Sequence, residues 1–324
     1  MTKVLVTLKV SDAEKEAFIS KYGDSCSFEF CAPKKATPEM LRETEILIGG
    51  MYDDKICPEA MPKLKLWQLP SAGADEQAKL PYILSEGGPV LCNATGAYGI
   101  TISEYMMGQL IVLLRHFQIY RDHMKGHEWQ REELPEVIYG KTALLLGVGD
   151  IGGNLAKRLK AFDCKVIAIK RTSTVPEFVD EVHTMADLEE LLPQADFICC
   201  SLPNSPSTTK LINEKTLALM KPTAILVNVG RGTLVDSDAL AKALNEGRLG
   251  GAALDVTDPE PLPEDHPLWD CPNCMITPHV AGLSEQREPH QRIVGFAMNN
   301  IGHYLRGEEF ENLVDLKTGY KVSK

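Results

Sequence analysis

The chain reads as an α/β protein built on two doubly wound parallel sheets, and three observations predict this. Short apolar runs alternate with helix-compatible segments along most of the 324 residues, the rhythm of strands joined by crossover helices. One run, residues 143–146, ends in the glycine-spaced turn Gly147-Val148-Gly149-Asp150-Ile151-Gly152. The length is enough for two domains, each with its own core.

In the first hundred residues, strands are expected at 4–8, 27–30, 46–48, 66–69 and 90–92. Between them lie amphipathic pieces such as 12–22, which opens behind a capping serine, Ser11. The turn Ser71-Ala72-Gly73-Ala74-Asp75 follows the fourth strand. Ligands of open α/β sheets bind beyond the carboxyl ends of strands, so this turn is a candidate substrate site. A long helix is expected over 101–124, apolar around much of its circumference and therefore buried between domains or subunits. A loop with Trp129 and Pro135 leads to the glycine turn. Beyond it, strands are expected at 143–146, 166–169, 197–201, 224–229, 251–256 and 275–277, six as in a full dinucleotide-binding sheet. Helices are expected at 187–192, 213–220, 237–246 and, in the tail, 285–305. No fixed-period repeat and no low-complexity segment interrupts the pattern.

Composition narrows the class. Hydrophobic content of 44% and charged content of 24% are ordinary for a soluble globular protein. A net charge of −11 argues against nucleic acid as a partner. The nine cysteines have no disulfide-framework spacing and fit free thiols in a reducing cytoplasm. The start, MTKVLVTLKV, reads as a strand rather than a leader. The most apolar segment, 105–114, is broken by Gly108 and Gln109 and followed by Arg115 and His116, so no membrane span is expected. Cys271-Pro272-Asn273-Cys274 has no second pair to complete a metal site, and no metal is expected. His116, His123, His183, His290 and His303 show no partners in the sequence and are expected at surface or helix positions.

The glycine turn carries the first chemical expectation. Strand, glycine turn, helix and strand form the Rossmann-like unit that cradles a dinucleotide pyrophosphate. Gly147 permits the tight turn, Gly149 lets backbone approach phosphate, and Gly152 lets the helix, entered at Asp150 and Ile151, pack on the strand. The helix N-terminus offers N–H groups and a positive dipole end to the anion. Where an acidic residue ordinarily holds the ribose 2′-hydroxyl, eighteen residues after Gly152, stands Lys170, followed by Arg171, Thr172 and Ser173. Read as a solvated strand end, this cluster is unremarked; read as a pocket, it suits a 2′-phosphate.

Arg231, Glu260 and His279 fall at the carboxyl ends of three successive expected strands, where loops on one sheet edge converge. A guanidinium, a carboxylate and an imidazole together suit reduction of a 2-oxo acid. Arg231 can pair with the substrate carboxylate or polarise the adjacent carbonyl. His279 can protonate the carbonyl oxygen, with Glu260 fixing its tautomer.

These motifs resemble the D-isomer-specific 2-hydroxyacid dehydrogenase family. The resemblance rests on the glycine turn, Leu202-Pro203-Asn204-Ser205-Pro206 with Thr208 or Thr209, and Val229-Gly230-Arg231-Gly232. It continues in Leu254-Asp255-Val256, Pro259-Glu260-Pro261-Leu262 and Thr277-Pro278-His279-Val280-Ala281-Gly282. Weaker matches are Ala72-Gly73-Ala74-Asp75, Asn93, Glu104, Arg306-Gly307-Glu308 and Asn312. The resemblance implies two Rossmann-like/flavodoxin-like domains with the active site in the interdomain cleft. The implied domains are a discontinuous substrate domain, 1–98 plus 285–324, and a dinucleotide-binding domain, 99–284. It implies Arg231, Glu260 and His279 as the catalytic set, with amides near Ala72 and Gly73 holding the substrate carboxylate. Leu202, Pro203, Thr208, Val229, Gly230, Asp255, His279 and Ala281 would join the glycine turn at the cofactor, Asp255 receiving the nicotinamide carboxamide. A homodimer through the 101–140 region is implied as well.

Two departures shape the expectation. Lys170 to Ser173 favour NADP(H), with NAD(H) as the second possibility, because Asp would repel a 2′-phosphate that Lys and Arg attract. No regulatory domain of the kind that many phosphoglycerate dehydrogenases of the family carry is expected beyond Lys324. The expected reaction is reduction of a small 2-oxo acid, glyoxylate or hydroxypyruvate for instance, to a D-2-hydroxy acid. The alternatives are a non-enzymatic dinucleotide-sensing corepressor and oxidation of another small anion, such as formate or phosphite.

Overall fold

The computed structural model describes residues 1–132, 134–271 and 273–322. The chain divides into two compact units, Met1–Tyr98 with Leu283–Lys324, and Gly99–Gly282.

The first unit begins with strand β1 (Thr2–Val6), helix α1 (Asp12–Tyr22), β2 (Cys26–Phe30), α2 (Pro38–Glu43) and β3 (Ile46–Ile48). It continues with β4 (Leu66–Gln68), α3 (Pro81–Leu84) and β5 (Val90–Cys92). The strands form one parallel sheet in the order β2-β1-β3-β4-β5, the flavodoxin-like order. Strand β1 stops two residues short of the expected end. Beyond Val6, the amides of Thr7 and Leu8 both turn to the Ile48 carbonyl, and the Thr7 hydroxyl reaches the Gly50 carbonyl at 2.7 Å. Ser11 caps α1 as its position predicts, in a capping box with Glu14.

The second unit opens with α4 (Gly99–Leu114) and α5 (Phe117–Lys125). The single helix expected over 101–124 is thus two, because His116 adopts a left-handed conformation at φ 55° and ends the ladder. Then follow β6 (Thr142–Leu146), α6 (Asp150–Ala161), β7 (Lys165–Ile169), β8 (Glu181–His183), α7 (Leu188–Leu191) and β9 (Phe197–Cys200). The unit closes with α8 (Glu214–Leu217), β10 (Ile225–Asn228), α9 (Ser237–Asn245), β11 (Gly251–Leu254) and β12 (Cys274–Ile276). Its sheet has seven parallel strands in the order β12-β11-β10-β9-β6-β7-β8. That is the doubly wound Rossmann order with one further strand, and its switch point lies between β6 and β9. The sequence predicted six strands; β8 is the one it lacked. This edge strand is three residues long and none of them is fully buried, so it has no apolar run to announce it.

The apolar runs are unbroken because both faces of this sheet are covered, as parallel sheets require. Leu144, Leu146, Ile167, Ile169, Ile198 and Leu226 point into one layer. Ala143, Leu145, Val166, Ala168, Phe197 and Val227 point into the other, where Met106, Met107, Leu110 and Leu113 of α4 pack. Each buried Leu, Ile, Val, Phe or Met among them contributes about 1.5–3 kcal/mol by leaving water.

The chain then returns to the first unit. Helix α10 (Arg287–Arg306) ends at Gly307 in the left-handed region, φ 67°. Its Val294, Ala297 and Ile301 pack with Val4, Val6, Ile46 and Ile48 on one face of the five-stranded sheet. Two short strands, β13 (Val314–Asp315) and β14 (Tyr320–Lys321), form an antiparallel pair, and Val314 packs with Leu5, Leu47 and Trp67 on the other face of that sheet. No helix among the described residues is long and apolar enough to cross a membrane.

Candidate active site

The glycine turn sits at the switch point of the seven-stranded sheet, and its glycines are required for different reasons. Gly147 has φ +97°, and a Cβ there would press on the Leu202 side chain and on Ser201 at 3.2–3.3 Å. Gly152 sits directly above the Gly147 carbonyl oxygen, which a Cβ would strike. Gly149 is the opposite case: a Cβ there would meet nothing within 4 Å. Open space therefore faces the turn where a phosphate would approach. Gly149 is also the N-cap of α6 and brings no side-chain acceptor to the first turn, so the helix N-terminus is left for an anion. The residues fit a dinucleotide.

Asp150 enters α6, and its carboxylate is already engaged. It accepts from the Gly99 amide at 2.7 Å and from Asn154 Nδ2 at 3.3 Å. Asp150 thereby fastens the start of α4 to the glycine turn, which also explains Gly99, whose missing Cβ makes room for that carboxylate. Across the switch point, Ser201 Oγ donates to the Gly147 carbonyl at 3.2 Å. Thr208 is buried and its hydroxyl donates to the Pro203 carbonyl at 2.8 Å, so Thr208 shapes the Leu202–Pro203 loop from inside.

The cationic cluster follows β7. Lys170 pairs its amide with the His183 carbonyl of β8 at 3.0 Å, and its ammonium donates to the Thr174 carbonyl at 2.9 Å. Lys170 is thus folded back on its own loop. Arg171, Thr172 and Ser173 are exposed, and Arg171 has no ion-pair partner among the described residues.

Three adjacent strands, β10, β11 and β12, deliver the candidate chemical groups at their carboxyl ends. After β10, the buried Asn228 folds the turn: its Nδ2 donates to the Arg231 carbonyl at 3.0 Å and its Oδ1 accepts from the Gly230 amide at 3.1 Å. Gly230 packs on the Leu202 backbone and Gly232 on the Thr257 backbone so closely that neither admits a Cβ. Arg231 Nη1 donates to the Gly230 carbonyl at 2.9 Å. After β11, the loop carrying Glu260 is braced by Thr257 Oγ1, which donates to the Pro259 carbonyl at 2.9 Å. After β12, His279 stands in the left-handed region at φ 55°. Its Nδ1 lies 2.8 Å from Glu260 Oε1, which leaves Nε2 to face a reactant. The pair is about half exposed, at 53% and 44% of the side-chain surface.

Asp255 underlies this turn and is 2% exposed. Its Oδ1 accepts from Thr277 Oγ1 at 2.6 Å and the Val280 amide at 2.8 Å, and its Oδ2 from the Ala281 amide at 2.9 Å. A carboxylate oxygen takes two donors, so Oδ2 keeps room for one more. Its carbonyl accepts from the His279 amide at 2.9 Å. Tyr105 of α4 completes the set, its hydroxyl 2.6 Å from Thr277 Oγ1. Sequence reasoning missed Asn228, Thr277 and Tyr105 as functional supports. A polar Asn and Thr at the ends of apolar strands were the available signal for the first two; Tyr105 had none.

In the first unit, the Ala72–Gly73 turn is held from below. Asn93 Nδ2 donates to the Ala72 carbonyl at 2.7 Å, and Ser71 Oγ to the Gly73 carbonyl at 2.7 Å. The amides of Ala72 and Gly73 have no acceptor among the described residues. Asn93 belongs to a buried polar lattice in which Gln68 reaches the Asn93 carbonyl and Asn300 reaches Gln68 at 2.6 Å. Asn312 extends it to the Thr95 carbonyl at 2.8 Å.

Four of the histidines that lacked partners in the sequence have them in the fold: His123 with Glu132, His183 with Glu181, His290 with Glu14, and His303 with Glu308. Among the described residues, no group of three or more His, Cys, Asp or Glu could hold a metal ion. Of the Cys271–Cys274 segment, Pro272 lies outside the described residues. Cys271 is buried with its thiol on backbone carbonyls, and burial pushes the Cys274 thiol up to about 12.

A doubly wound sheet with a glycine turn at its switch point and an Arg, a Glu–His pair and a buried Asp at the neighbouring strand ends defines a dinucleotide-dependent oxidoreductase. Residues 107–281 match the family model described as D-isomer specific 2-hydroxyacid dehydrogenase, NAD binding domain. A glyoxylate reductase from Thermofilum pendens is 35% identical over 83% of this chain and 80% of its own. A D-isomer specific 2-hydroxyacid dehydrogenase family protein from Aeromonas salmonicida superposes with TM-score 0.86 at 29% identity, covering 97% of this chain and 99% of the other. An NADPH-dependent glyoxylate/hydroxypyruvate reductase from Sinorhizobium meliloti, solved with NADP and sulfate, superposes with TM-score 0.80 at 27% identity, covering 99% and 100%. The chain belongs to the D-isomer specific 2-hydroxyacid dehydrogenase family. It is an NAD(P)-dependent oxidoreductase.

Proposed function

We propose that the protein reduces small 2-oxo acids of the glyoxylate and hydroxypyruvate type to D-2-hydroxy acids, with NADPH preferred over NADH. The observation that carries this reading is the His279–Glu260 contact at 2.8 Å. It leaves one imidazole nitrogen for a carbonyl oxygen, beside the strand end that bears Arg231. When bound, the dinucleotide supplies a hydride to the carbonyl carbon. His279 Nε2 gives the proton to the carbonyl oxygen, and Glu260 holds the ring in the tautomer and direction this needs. Arg231 pairs with the carboxylate and draws charge towards the carbonyl oxygen. The Ala72 and Gly73 amides add donors for the carboxylate. In this reading 1–98 with 285–324 is the substrate domain and 99–284 the dinucleotide domain.

Gly147, Gly149, Ile151 and Gly152 would hold the pyrophosphate through backbone, with Leu202, Pro203, Val229, Gly230, Asp255 and Ala281 along the nicotinamide half. Arg171, Thr172 and Ser173 would receive a 2′-phosphate, which supports NADPH over NADH. The named relatives that reduce glyoxylate support the substrate class. Exposed Trp129, Leu134 and Tyr139 support a homodimer through 101–140. The nine free thiols support a cytoplasmic location.

Steady-state rates with glyoxylate, hydroxypyruvate, pyruvate, phenylpyruvate and 2-oxoisocaproate against both cofactors test the reading. Fastest turnover on glyoxylate and hydroxypyruvate with NADPH is expected. No turnover on any of the five, with cofactor binding demonstrated, would remove it.

A further inference from the structure

We propose that Tyr105, on helix α4, is a positioning residue for the reaction: through Thr277 and Asp255 it holds the turn that presents His279. The inference rests on the reductase reading for its kinetic consequence, although the contacts themselves do not.

The polarity of the chain of contacts is fixed. Thr277 Oγ1 spends its one proton on Asp255 Oδ1 at 2.6 Å, so the Tyr105 hydroxyl, 2.6 Å away, must donate to Thr277. Burial, together with the Asp255 charge, raises the phenol above its ordinary range, so Tyr105 keeps the proton it donates. Beyond Asp255 the line ends on the amides of Val280 and Ala281, at 2.8 and 2.9 Å. These are the two residues that follow His279, whose φ of 55° is a conformation that a non-glycine residue holds only where its surroundings enforce it.

The same helix is fastened to the glycine turn, where the Gly99 amide donates to Asp150 at 2.7 Å. Gly99 and Tyr105 are six residues apart, about 9 Å along a helix axis. Helix α4 therefore acts as a ruler between the turn that receives phosphates and the turn that carries the proton donor. Packing of Met106, Met107 and Leu110 against the sheet keeps that ruler rigid.

The test uses the full chain with Tyr105→Phe, Thr277→Val, Thr277→Ser and the double variant Tyr105→Phe/Thr277→Val. Tyr105→Phe keeps the ring and removes only the donor. It is expected to lower kcat roughly five- to tenfold, as for loss of one neutral hydrogen bond, with KM for acid and cofactor within about twofold. Thr277→Val should lose more, because it strips a donor from a buried carboxylate; Thr277→Ser should restore most of the rate. The double variant should be no worse than Thr277→Val alone, since the two residues act in one line. Amide exchange of the 275–283 segment, read by mass spectrometry, should quicken in Tyr105→Phe and Thr277→Val and not in Thr277→Ser. A Tyr105→Phe variant with wild-type kcat and exchange would overturn the proposal, as would a Thr277→Ser variant as impaired as Thr277→Val. If the wild type turned over no 2-oxo acid, the reductase reading would fail, and exchange would decide the Tyr105 link: faster in Tyr105→Phe supports it, unchanged overturns it.

Discussion

Gly149 and Gly152 lie three residues apart in one turn, yet alanine at each should fail in a different way. At Gly152 a Cβ would strike the Gly147 carbonyl, backbone that cannot swing aside. Helix α6 must retreat from β6, disturbing the contacts of the buried Leu155, Ala156 and Leu159. Overpacking of this kind costs about 1–3 kcal/mol, equivalent to roughly 2–10 °C in Tm for a unit of this size. At Gly149 a Cβ meets nothing within 4 Å, and exchange of Gly for Ala at an N-cap costs about 0.5–1 kcal/mol. Gly149→Ala should therefore melt within about 4 °C of the wild type. The methyl would nevertheless stand in the space a phosphate needs, so NADPH affinity should fall about tenfold or more, the loss of one or more charge-assisted backbone hydrogen bonds. Thermal unfolding followed by circular dichroism, paired with NADPH fluorescence titration, reads both quantities. A Gly149→Ala variant that loses stability as Gly152→Ala does, or that binds NADPH as tightly as the wild type, would overturn this division between the two glycines.

Three further outcomes follow from the geometry. Arg171→Ala should raise the KM for NADPH about tenfold while changing that for NADH less than twofold; Lys170→Met, which loses only the tether to Thr174, should affect NADPH less, and equal effects of Arg171→Ala on both cofactors would mean the cluster does not read the 2′-phosphate. Thiol labelling of the native protein at pH 8 should proceed at the half-buried Cys57 and Cys31 and spare Cys92 and Cys164, whose thiols burial pushes up to about 12; rapid labelling of Cys164 would contradict its placement. Glu308 is held at about 2, below its ordinary 4.5, by Arg306 and then His303. A depressed carboxylate adds stability above its unfolded value and loses it as pH falls towards the folded one. The Tm advantage of the wild type over Glu308→Gln should thus be present at neutral pH and shrink between about pH 4.5 and pH 2; a gap independent of pH would reject the clasp.

What the sequence disclosed was whatever repeats with a local period or a glycine. Both parallel sheets were legible because their strands are buried on two faces and read as unbroken apolar runs, and Ser11 marked a helix start by local chemistry. Strand β8 was not legible: it lies at the sheet edge, where Glu181 and His183 can stay in water. The break at His116 depends on how α5 turns away from α4, which no residue before it signals. At the site, the types of Arg231, Glu260 and His279 were readable from their places at strand ends. Their supports were not: Thr277 and Tyr105 act through partners remote in the chain, and Asn228 acts on the backbone of its own turn, a contact that only the folded loop creates. Lys170 and Arg171 read alike in the sequence, and only the reach of Lys170 to the Thr174 carbonyl tells them apart.

The most direct test of the account is the rate of NADPH oxidation by hydroxypyruvate for His279→Asn against the wild type, with cofactor affinity measured on the same samples. Asn keeps the size class of the side chain and accepts the left-handed backbone at this position, but it cannot pass a proton. We expect kcat to fall about 10²- to 10⁴-fold while the Kd for NADPH stays within about twofold. A variant that keeps more than about a tenth of the wild-type kcat would contradict it.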